Sequence, residues 1–442
     1  MCFHMSFFYV ILLSEMTYKK RKKGLVLLAD GTVFYGRSAG INGTSFGEIC
    51  FNTGVTGYQE IFTDPSYFGQ IMVTTTSHIG NYGIKMNESQ SQKIYISGLI
   101  CKNFSYVNSR HNSKSIKKWF DSNNLVTVCD VDTRALVRYI RDNGAMNAAI
   151  TTEIDKISEI KKKLNKFPKM DGLELASKVS TKHPYELGDK NSKKRLAVID
   201  LGIKKNILDN FVKRDLYIKV FPFDTDLDEM LNFKPNGFFL SNGPGDPKPL
   251  KKVIQTTREI LQKNYPLFGI CLGHQVIALA NDIKTYKMFN GHRGINHPVL
   301  NINTGKGEIT SQNHGYAIDM DTLQEGWTPY YINANDMSNE GIIHETKPFI
   351  GVQFHPEVDL TPCGNDLFRN FLYRCCGLKG TFTMGSRKAQ AIEEIRSAVG
   401  DLSVISLVSG GVDSTVCTAL LQAAIPAEKI YSIHIDSGFM RR

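Results

Sequence analysis

Short apolar runs alternate with helical patterns through the middle of the chain. The runs that predict buried strands lie at residues 196–200, 217–220, 237–240, 267–270 and 349–353. Strands that alternate with helices predict a parallel, doubly wound α/β sheet. In such sheets the functional residues lie at the carboxyl ends of the strands, so the residues that follow each run are the first place to look for chemistry.

The two ends of the chain carry different patterns. Residues 24–29 and 33–36 predict a hairpin through Asp30-Gly31, and residues 126–129 and 133–143 predict a strand followed by a helix. Residues 389–399, 402–408, 416–424 and 430–435 predict helix, strand, helix and strand, which is a single β-α-β unit. The predicted organisation is a disordered extension at 1–15, a mixed domain at 16–152, a lysine-rich connector at 153–194, the α/β sheet domain at 195–378 and a last unit at 379–442.

A cysteine follows the strand at residues 267–270. Gly269 and Gly273 flank Cys271 in the way that small residues flank the nucleophile of a strand-to-helix elbow. A cysteine at a helix N-terminus is expected to have a lowered pKa, because the helix dipole favours the thiolate. Taken alone, a buried inert cysteine is the safer interpretation.

A base and a carboxylate follow the strand at residues 349–353. His355 and Glu357 are two residues apart, so in an extended segment their side chains fall on the same face. The loop 241–247 follows another strand and is rich in Gly and Pro, so its backbone N–H groups can bind an oxyanion or a carboxylate. Nucleophile, base and orienting acid at one sheet edge predict a Cys-His-Glu amidase.

A glycine-rich loop also follows the predicted strand of the last unit. Free backbone N–H groups, hydroxyls and a helix N-terminus after a strand form a phosphate-binding loop. The loop lacks the Gly-Lys-Ser/Thr ending of a Walker A motif. Its residues are the candidates for ATP binding: Ser409, Gly410, Gly411, Val412, Asp413, Ser414 and Thr415.

Composition excludes several classes of protein. The formal charge is +10, but the Lys/Arg clusters are not interleaved with aromatic residues, which favours solvated lysines over nucleic-acid binding. The nine cysteines are odd in number and scattered without a C-x-x-C pair, which favours reduced thiols in a cytoplasm over disulfides or a zinc site. The apolar run at residues 7–13 is too short for a membrane span and lacks the flanks of a signal peptide.

From residue 16 to about 350 the chain resembles the small, glutamine-hydrolysing subunit of carbamoyl phosphate synthetase. The N-terminal motifs and the loops around Cys271 carry the resemblance, and the N-terminal domain is diagnostic because other class I glutamine amidotransferases lack it. The motifs are Phe51-Asn52-Thr53-Gly54, Thr56-Gly57-Tyr58-Gln59-Glu60, Asp64-Pro65-Ser66-Tyr67, His78-Ile79-Gly80-Asn81, Asp130-Val131-Asp132-Thr133-Arg134, residues 240–247 and Gln312-Asn313-His314-Gly315.

The resemblance implies a role for each matched residue. Cys271 would form a γ-glutamyl thioester, with His355 as base and acid and Glu357 as its orienting carboxylate. Gly243 and Leu272 would supply the backbone donors of the oxyanion hole. The glutamine contacts implied are Ser66, Gly245, Gln275, Asn313, Gly315 and Tyr316.

The resemblance also implies partners. No cofactor is expected for glutamine hydrolysis. The ammonia would pass to a large subunit that uses bicarbonate and ATP with Mg²⁺, in a heterodimer or a higher assembly for arginine and pyrimidine synthesis.

From about residue 351 to 442 the chain is instead similar to GMP synthetase, namely the end of its glutaminase domain and the start of its ATP-pyrophosphatase domain. The residues that carry this are 351–358, Leu360-Thr361, 370–373, 380–383, 409–415 and 434–440. The simplest explanation is a join of two genes at the shared Gln-x-His-Pro-Glu sequence, and a natural fusion is the other. The alternative functions are a GMP synthetase fragment that aminates XMP with ATP, and a non-catalytic regulatory protein on an amidotransferase fold.

Overall fold

The structure is a computed structural model that describes residues 21–359, 361–378 and 384–434. Two compact units divide the chain, one ending at Gly377 and the other beginning at Leu378. The extension predicted at residues 1–15 lies outside the described residues, and so do Leu360, residues 380–383 and residues 435–440 of the predicted motifs.

The first unit begins with a closed barrel of seven strands in the order β1-β2-β8-β6-β4-β3-β9. The predicted hairpin is confirmed, since β1 pairs antiparallel with β2, and Gly31 has a φ of 95° at the turn. The strands are β1 (Lys23–Leu28), β2 (Val33–Ser38), β3 (Thr44–Asn52), β4 (Gln70–Thr74), β5 (His78–Ile79), β6 (Gly98–Ile100), β7 (Asn103–Phe104), β8 (Thr127–Cys129) and β9 (Asn147–Thr151), of which β5 and β7 form a separate pair. The helices are α1 (Tyr58–Thr63), α2 (Ile116–Ser122), α3 (Thr133–Asn143), α4 (Ile157–Asn165) and α5 (Ala176–Val179).

The predicted connector is folded against both of its neighbours. Ile160 and Leu164 of α4 pack with Leu25 and Leu27 of β1, because the apolar stripe of α4 faces the barrel. The Gly172 N–H donates to Asp246 Oδ2 at 2.8 Å, and the Asp246 N–H donates to the Leu173 carbonyl at 3.0 Å. The connector therefore supports the loop at 241–247.

A ten-stranded sheet follows, in the order β10-β12-β11-β13-β14-β19-β18-β17-β15-β16. Its strands are β10 (Tyr185–Leu187), β11 (Arg195–Asp200), β12 (Tyr217–Pro222), β13 (Gly237–Leu240), β14 (Leu267–Ile270), β15 (Thr285–Asn301), β16 (Gly307–Ile318), β17 (Trp327–Asn333), β18 (Asn339–His344) and β19 (Phe349–Val352). The helices are α6 (Lys205–Val212), α7 (Leu227–Leu231), α8 (Lys251–Gln262), α9 (Leu272–Ala280) and α10 (Gly364–Asn370), and a π-helical segment follows at Phe371–Cys375.

The prediction of a parallel sheet is right for one part of it and wrong for the rest. Strands β12, β11, β13, β14 and β19 are parallel, whereas β10, β18, β17, β15 and β16 pair antiparallel. Five residues join β15 to β16, and five join β17 to β18. Loops this short cannot hold the crossover that a parallel pair requires, so each strand pairs antiparallel with the next.

The second unit contains α11 (Met384–Val399), β20 (Val404–Leu407), α12 (Val412–Ala424) and β21 (Ile430–Ile433). The predicted order of elements is confirmed, but α12 begins four residues before the predicted start at residue 416. The two strands are parallel, and Leu421, Ala424 and Ile425 form a small core with partly buried side chains of α11. Among the residues described, no helix combines the length and apolar character needed to cross a membrane.

Candidate active site

Cys271 lies at a sharp turn between β14 and α9. Its φ of 55° and ψ of −105° are strained for a non-glycine residue, as expected of a nucleophile elbow. A Cβ on Gly273 would lie 2.2 Å from the Leu240 carbonyl oxygen, and one on Gly269 would lie 2.6 Å from the Gly273 carbonyl carbon. The two glycines are therefore required by the close approach of strand, turn and helix.

His355 and Glu357 form a buried pair just after β19. His355 Nδ1 and Glu357 Oε1 are 2.8 Å apart, and the side chains are 1% and 0% exposed. His355 Nε2 and Glu357 Oε2 are both buried without a hydrogen-bond partner. The imidazole is held through one nitrogen, and the other remains available to a reacting group.

Lys204 is a residue of this site that the sequence analysis missed. Its ammonium is hydrogen-bonded to Glu357 Oε1 and lies 3.9 Å from Asp64 Oδ2, with the side chain only 7% exposed. Burial would raise the pKa of Glu357, but the Lys204 ammonium and then His355 lower that pKa to about 2. Glu357 is therefore an ionised carboxylate that holds both the lysine and the histidine.

The expected thiolate at Cys271 is not what the structure shows. Burial, with a further contribution from Asp64, raises the pKa of the Cys271 thiol to about 12, although Lys204 and the Leu272 N–H oppose the rise. The thiol donates to the Asn313 carbonyl oxygen at 3.4 Å. The predicted lowering of the Cys271 pKa is wrong because burial outweighs the helix N-terminus, and a sequence does not reveal how deeply a cysteine is buried.

The loop after β13 approaches the elbow closely. A Cβ on Gly243 would lie 2.1 Å from the Leu201 carbonyl oxygen and 2.9 Å from Leu272 Cδ2. Asn242 Nδ2 donates to Ser66 Oγ at 2.8 Å. Gly245 has a φ of 92°. The loop thus lies beside the first residue of α9 and is tied to the barrel through Ser66.

The predicted glutamine contacts come together around the cysteine. Two cavities lie here, and Asn313 lines both of them. The larger, of about 330 Å³, contains His355, Glu357 and Lys204, and the smaller surrounds Cys271. The cavity around the cysteine has a volume of about 30 Å³. The cavity around the cysteine is lined by the predicted nucleophile and by all eight residues that the resemblance assigns to the oxyanion hole or to glutamine contacts. These nine residues are Cys271, Ser66, Gly243, Gly245, Leu272, Gln275, Asn313, Gly315 and Tyr316.

Two charged residues that the sequence analysis did not select line the same small cavity. Arg293 is 5% exposed, and its Nη1 donates to the Asn290 carbonyl at 2.6 Å while its Nε has no partner. Glu48 is 4% exposed and pairs with Lys287. The cavity therefore offers both a cation and an anion to a small molecule.

The candidate phosphate loop lies in the second unit, where it follows β20 and includes the first four residues of α12. Gly410 has a φ of 77°, and the Oγ atoms of Ser409 and Ser414 are 3.2 Å apart. Thr415 Oγ1 donates to the Gly411 carbonyl at 2.9 Å. Most of the loop is exposed, and the strand-loop-helix arrangement is present.

Two family models match the chain. The model described as carbamoyl-phosphate synthase small chain, CPSase domain, matches residues 26–150, and that of glutamine amidotransferase class-I matches residues 197–375. The carbamoyl phosphate synthase small chain of Clostridium acetobutylicum is 44% identical over 76% of this chain and 95% of its own length. That of Parasynechococcus marenigrum is 41% identical over 78% and 94%. A solved glutamine amidotransferase from Thermotoga maritima, at 22% identity and a TM-score of 0.31 over 42% of this chain and 84% of its own, is too distant to support an inference.

Proposed function

Since the chain belongs to the carbamoyl phosphate synthase small-chain family and is a glutamine-hydrolysing ligase subunit, we propose that Cys271, His355 and Glu357 hydrolyse L-glutamine at the elbow between β14 and α9. The observation that carries the proposal is the convergence of these residues at the carboxyl ends of the neighbouring strands β14 and β19. Glutamine is the substrate, and glutamate and ammonia are the products.

The chemistry proposed begins with a neutral thiol. His355 Nε2 takes the Cys271 proton as Sγ attacks the amide carbon, which forms the C–S bond and an oxyanion held by the Gly243 and Leu272 N–H groups. The imidazolium returns its proton to the amide nitrogen, the C–N bond breaks and ammonia leaves. Water then attacks the thioester with His355 as base, which releases glutamate and restores the thiol. Glu357 keeps Nδ1 protonated and stabilises the imidazolium.

We assign the charged ends of glutamine to the two charged residues of the cavity. Free glutamine carries an α-carboxylate and an α-ammonium, and burying either without a partner is costly. Arg293 is suited to the carboxylate, because a guanidinium binds carboxylates in a two-pronged geometry. Glu48 is suited to the ammonium. Ser66, Gly245, Gln275, Asn313, Gly315 and Tyr316 supply neutral contacts around them.

The test is glutamine hydrolysis by purified Cys271→Ser protein, measured as ammonium release. The expected result is loss of activity, while Cys417→Ser, which changes an exposed cysteine of the second unit, keeps it. A Cys271→Ser protein that hydrolyses glutamine at the wild-type rate would contradict the proposal. Loss of activity confined to the Cys271 variant would also exclude a non-catalytic regulatory role.

The ammonia is proposed to be used by a large synthetase subunit that binds bicarbonate, ATP and Mg²⁺, with no cofactor needed for the hydrolysis itself. The support is family membership, because the related proteins are described as small chains. Carbamoyl phosphate is expected from glutamine only when this chain is combined with such a large subunit. Formation of a stable complex by size-exclusion chromatography would support the pairing, and its absence with both proteins folded would contradict it.

For the second unit we propose an origin in a GMP synthetase-like ATP-pyrophosphatase domain joined near residue 351. The support is the Ser409–Thr415 loop after β20. The apolar side chains on one face of the unit's two strands are nevertheless exposed, namely Ile405, Leu407, Tyr431 and Ile433. A two-stranded sheet with an uncovered apolar face is marginally stable, so ATP should bind weakly or not at all. A micromolar Kd for ATP by calorimetry would overturn that expectation. The join is tested by the genomic reading frame across residues 349–358 and by the intact mass of the expressed protein.

A further inference from the structure

Two histidines and a glutamate meet where β15, β16 and β18 lie together. His292, His314 and Glu340 each offer one nitrogen or oxygen atom, and these atoms all lie within 4.8 Å of one another. His292 Nδ1 is 3.1 Å from Glu340 Oε1, and His314 Nε2 is 4.0 Å from the same oxygen. Bonds of about 2.0–2.1 Å from zinc to nitrogen place tetrahedral ligand atoms about 3.4 Å apart, so small side-chain shifts suffice for a metal ion.

The outer nitrogens of both histidines are held by acceptors. His292 Nε2 lies 3.0 Å from Asp336 Oδ2, and His314 Nδ1 lies 2.8 Å from the Tyr316 carbonyl oxygen. Histidines that bind metals nearly always donate their other ring N–H to a carboxylate or a backbone carbonyl, which turns the remaining lone pair toward the ion. Both histidines have this arrangement.

The contacts of His314 are not satisfied by the protein alone. Its Nδ1 must carry the proton, because the Tyr316 carbonyl can only accept, yet Nε2 lies 3.0 Å from Gln312 Oε1, which is also an acceptor. A second ring proton would place a charged imidazolium, with its side chain only 1% exposed, against two neutral oxygens, which is costly. Rotating the Gln312 amide moves the conflict elsewhere, because its NH₂ group serves Thr310 and Glu340.

The glutamate has an unsatisfied atom as well. Glu340 is fully buried, and Asn333 Nδ2 donates to its Oε1 at 2.9 Å. Its Oε2 has no hydrogen-bond partner. A salt bridge with a protonated His292 would explain the Oε1 contact, but it leaves both Oε2 and the His314–Gln312 contact unexplained.

We propose that His292 Nδ1, His314 Nε2 and Glu340 bind a divalent transition-metal ion of the zinc type, with Gln312 Oε1 beside the open position. Two imidazoles and one carboxylate are a ligand set that suits Zn²⁺ and Co²⁺. The site uses no cysteine, so the scattered cysteines that argued against a thiolate zinc site do not bear on it. The His292 side chain is 13% exposed and provides a route for the ion to enter.

The ion would cross-link three strands next to the small cavity. His314 lies between Asn313 and Gly315, and all three line the cavity around Cys271. Binding there would stiffen the wall that faces the proposed substrate without placing the metal on a reacting atom.

The experiment is a titration of metal-free full-length protein with Co²⁺, followed by visible absorption and then by displacement with Zn²⁺. We expect one ion per chain and a spectrum without the thiolate-to-cobalt charge-transfer band that binding to cysteines would give. Asp336→Asn should weaken binding by about 10–100-fold, and Glu340→Gln should abolish it. His183→Asn, which changes an exposed histidine outside the cluster, should bind as the wild type does.

Thermal unfolding provides a second reading. Zn²⁺ should raise the unfolding midpoint of the wild type and of His183→Asn but not that of Glu340→Gln. If Glu340→Gln does not fold, the half-exposed Asp336→Asn variant carries the test. Either of two results would overturn the proposal: no bound cobalt in the wild type, or binding that persists in Asp336→Asn and Glu340→Gln while alkylation of the cysteines removes it.

Discussion

Replacing Lys204 with methionine should destabilise the sheet domain, because it leaves the buried Glu357 carboxylate without its nearest cation. Methionine keeps most of the volume of the lysine stem, so the change isolates the charge. The Lys204 side chain is 7% exposed and that of Glu357 is 0% exposed, so water screens little of the interaction. The loss should therefore be that of a broken buried pair rather than of a surface one.

The magnitude follows from the pKa of Glu357, which falls from an ordinary value of 4.5 to about 2 in the folded protein. At about 1.4 kcal/mol for each pH unit, this difference is worth about 3.5 kcal/mol of stability at neutral pH, to which Lys204 contributes more than His355 does. A folded-state pKa below the unfolded one gives stability that is complete above pH 4.5 and is lost as the pH falls toward 2. The difference between wild type and Lys204→Met should thus be smaller at pH 3.5 than at pH 7.

Urea unfolding followed by tryptophan fluorescence measures this difference. The chain has two tryptophans, Trp119 in α2 and Trp327 in β17, so a Trp119→Phe background reports on the ten-stranded sheet. Lys205→Met is the matched control, because Lys205 forms an exposed pair with Asp209 one turn along α6. The control should lose at most about 0.5 kcal/mol. Equal unfolding midpoints for the two variants would refute the reasoning.

Three further predictions follow from the site. Gly273→Ala should lower the free energy of unfolding, measured in urea, by about 1–3 kcal/mol, because its Cβ would lie 2.2 Å from the Leu240 carbonyl oxygen. Gly307→Ala, whose Cβ meets nothing within 4 Å, should lower it far less. Equal losses for the two variants would contradict the packing argument. Arg293→Gln should raise KM for glutamine more than it lowers kcat, and an unchanged KM in steady-state kinetics would remove Arg293 from the binding site. Burial raises the pKa of Cys271 to about 12. The rate at which iodoacetamide alkylates Cys271, measured by peptide mass, should therefore still rise between pH 8 and pH 10. A rate that levels off below pH 9 would show that the thiol ionises normally.

The parts of the site that depend on local sequence could be predicted. Gly269 is required by its contact with Gly273 within the elbow itself, and the pattern of small residues around Cys271 identifies the turn, although the space that Gly273 needs is set by Leu240 of the neighbouring strand β13. His355 and Glu357 were expected to share a face because they are two residues apart, and they form a hydrogen bond in the structure. Elements of this kind need no knowledge of the rest of the chain.

The parts that depend on distant residues could not be predicted. Lys204 follows β11 and reaches Glu357 only because β11, β13, β14 and β19 are neighbours in the sheet. In the sequence it is one lysine among many. The antiparallel part of the sheet was missed for a related reason, since the short turns at its strand ends are visible only once the strand limits are known.

The most direct test of the central claim is covalent labelling of the protein by a glutamine-analogue electrophile, located by peptide mass. The proposal predicts one label per chain, on Cys271, with labelling slowed by L-glutamine and absent from Cys271→Ser. It also predicts that His355→Asn labels more slowly, because the thiol then lacks its base. Labelling confined to another cysteine, or labelling of Cys271 that glutamine does not slow, would contradict the assignment of this elbow as the glutamine-hydrolysing site.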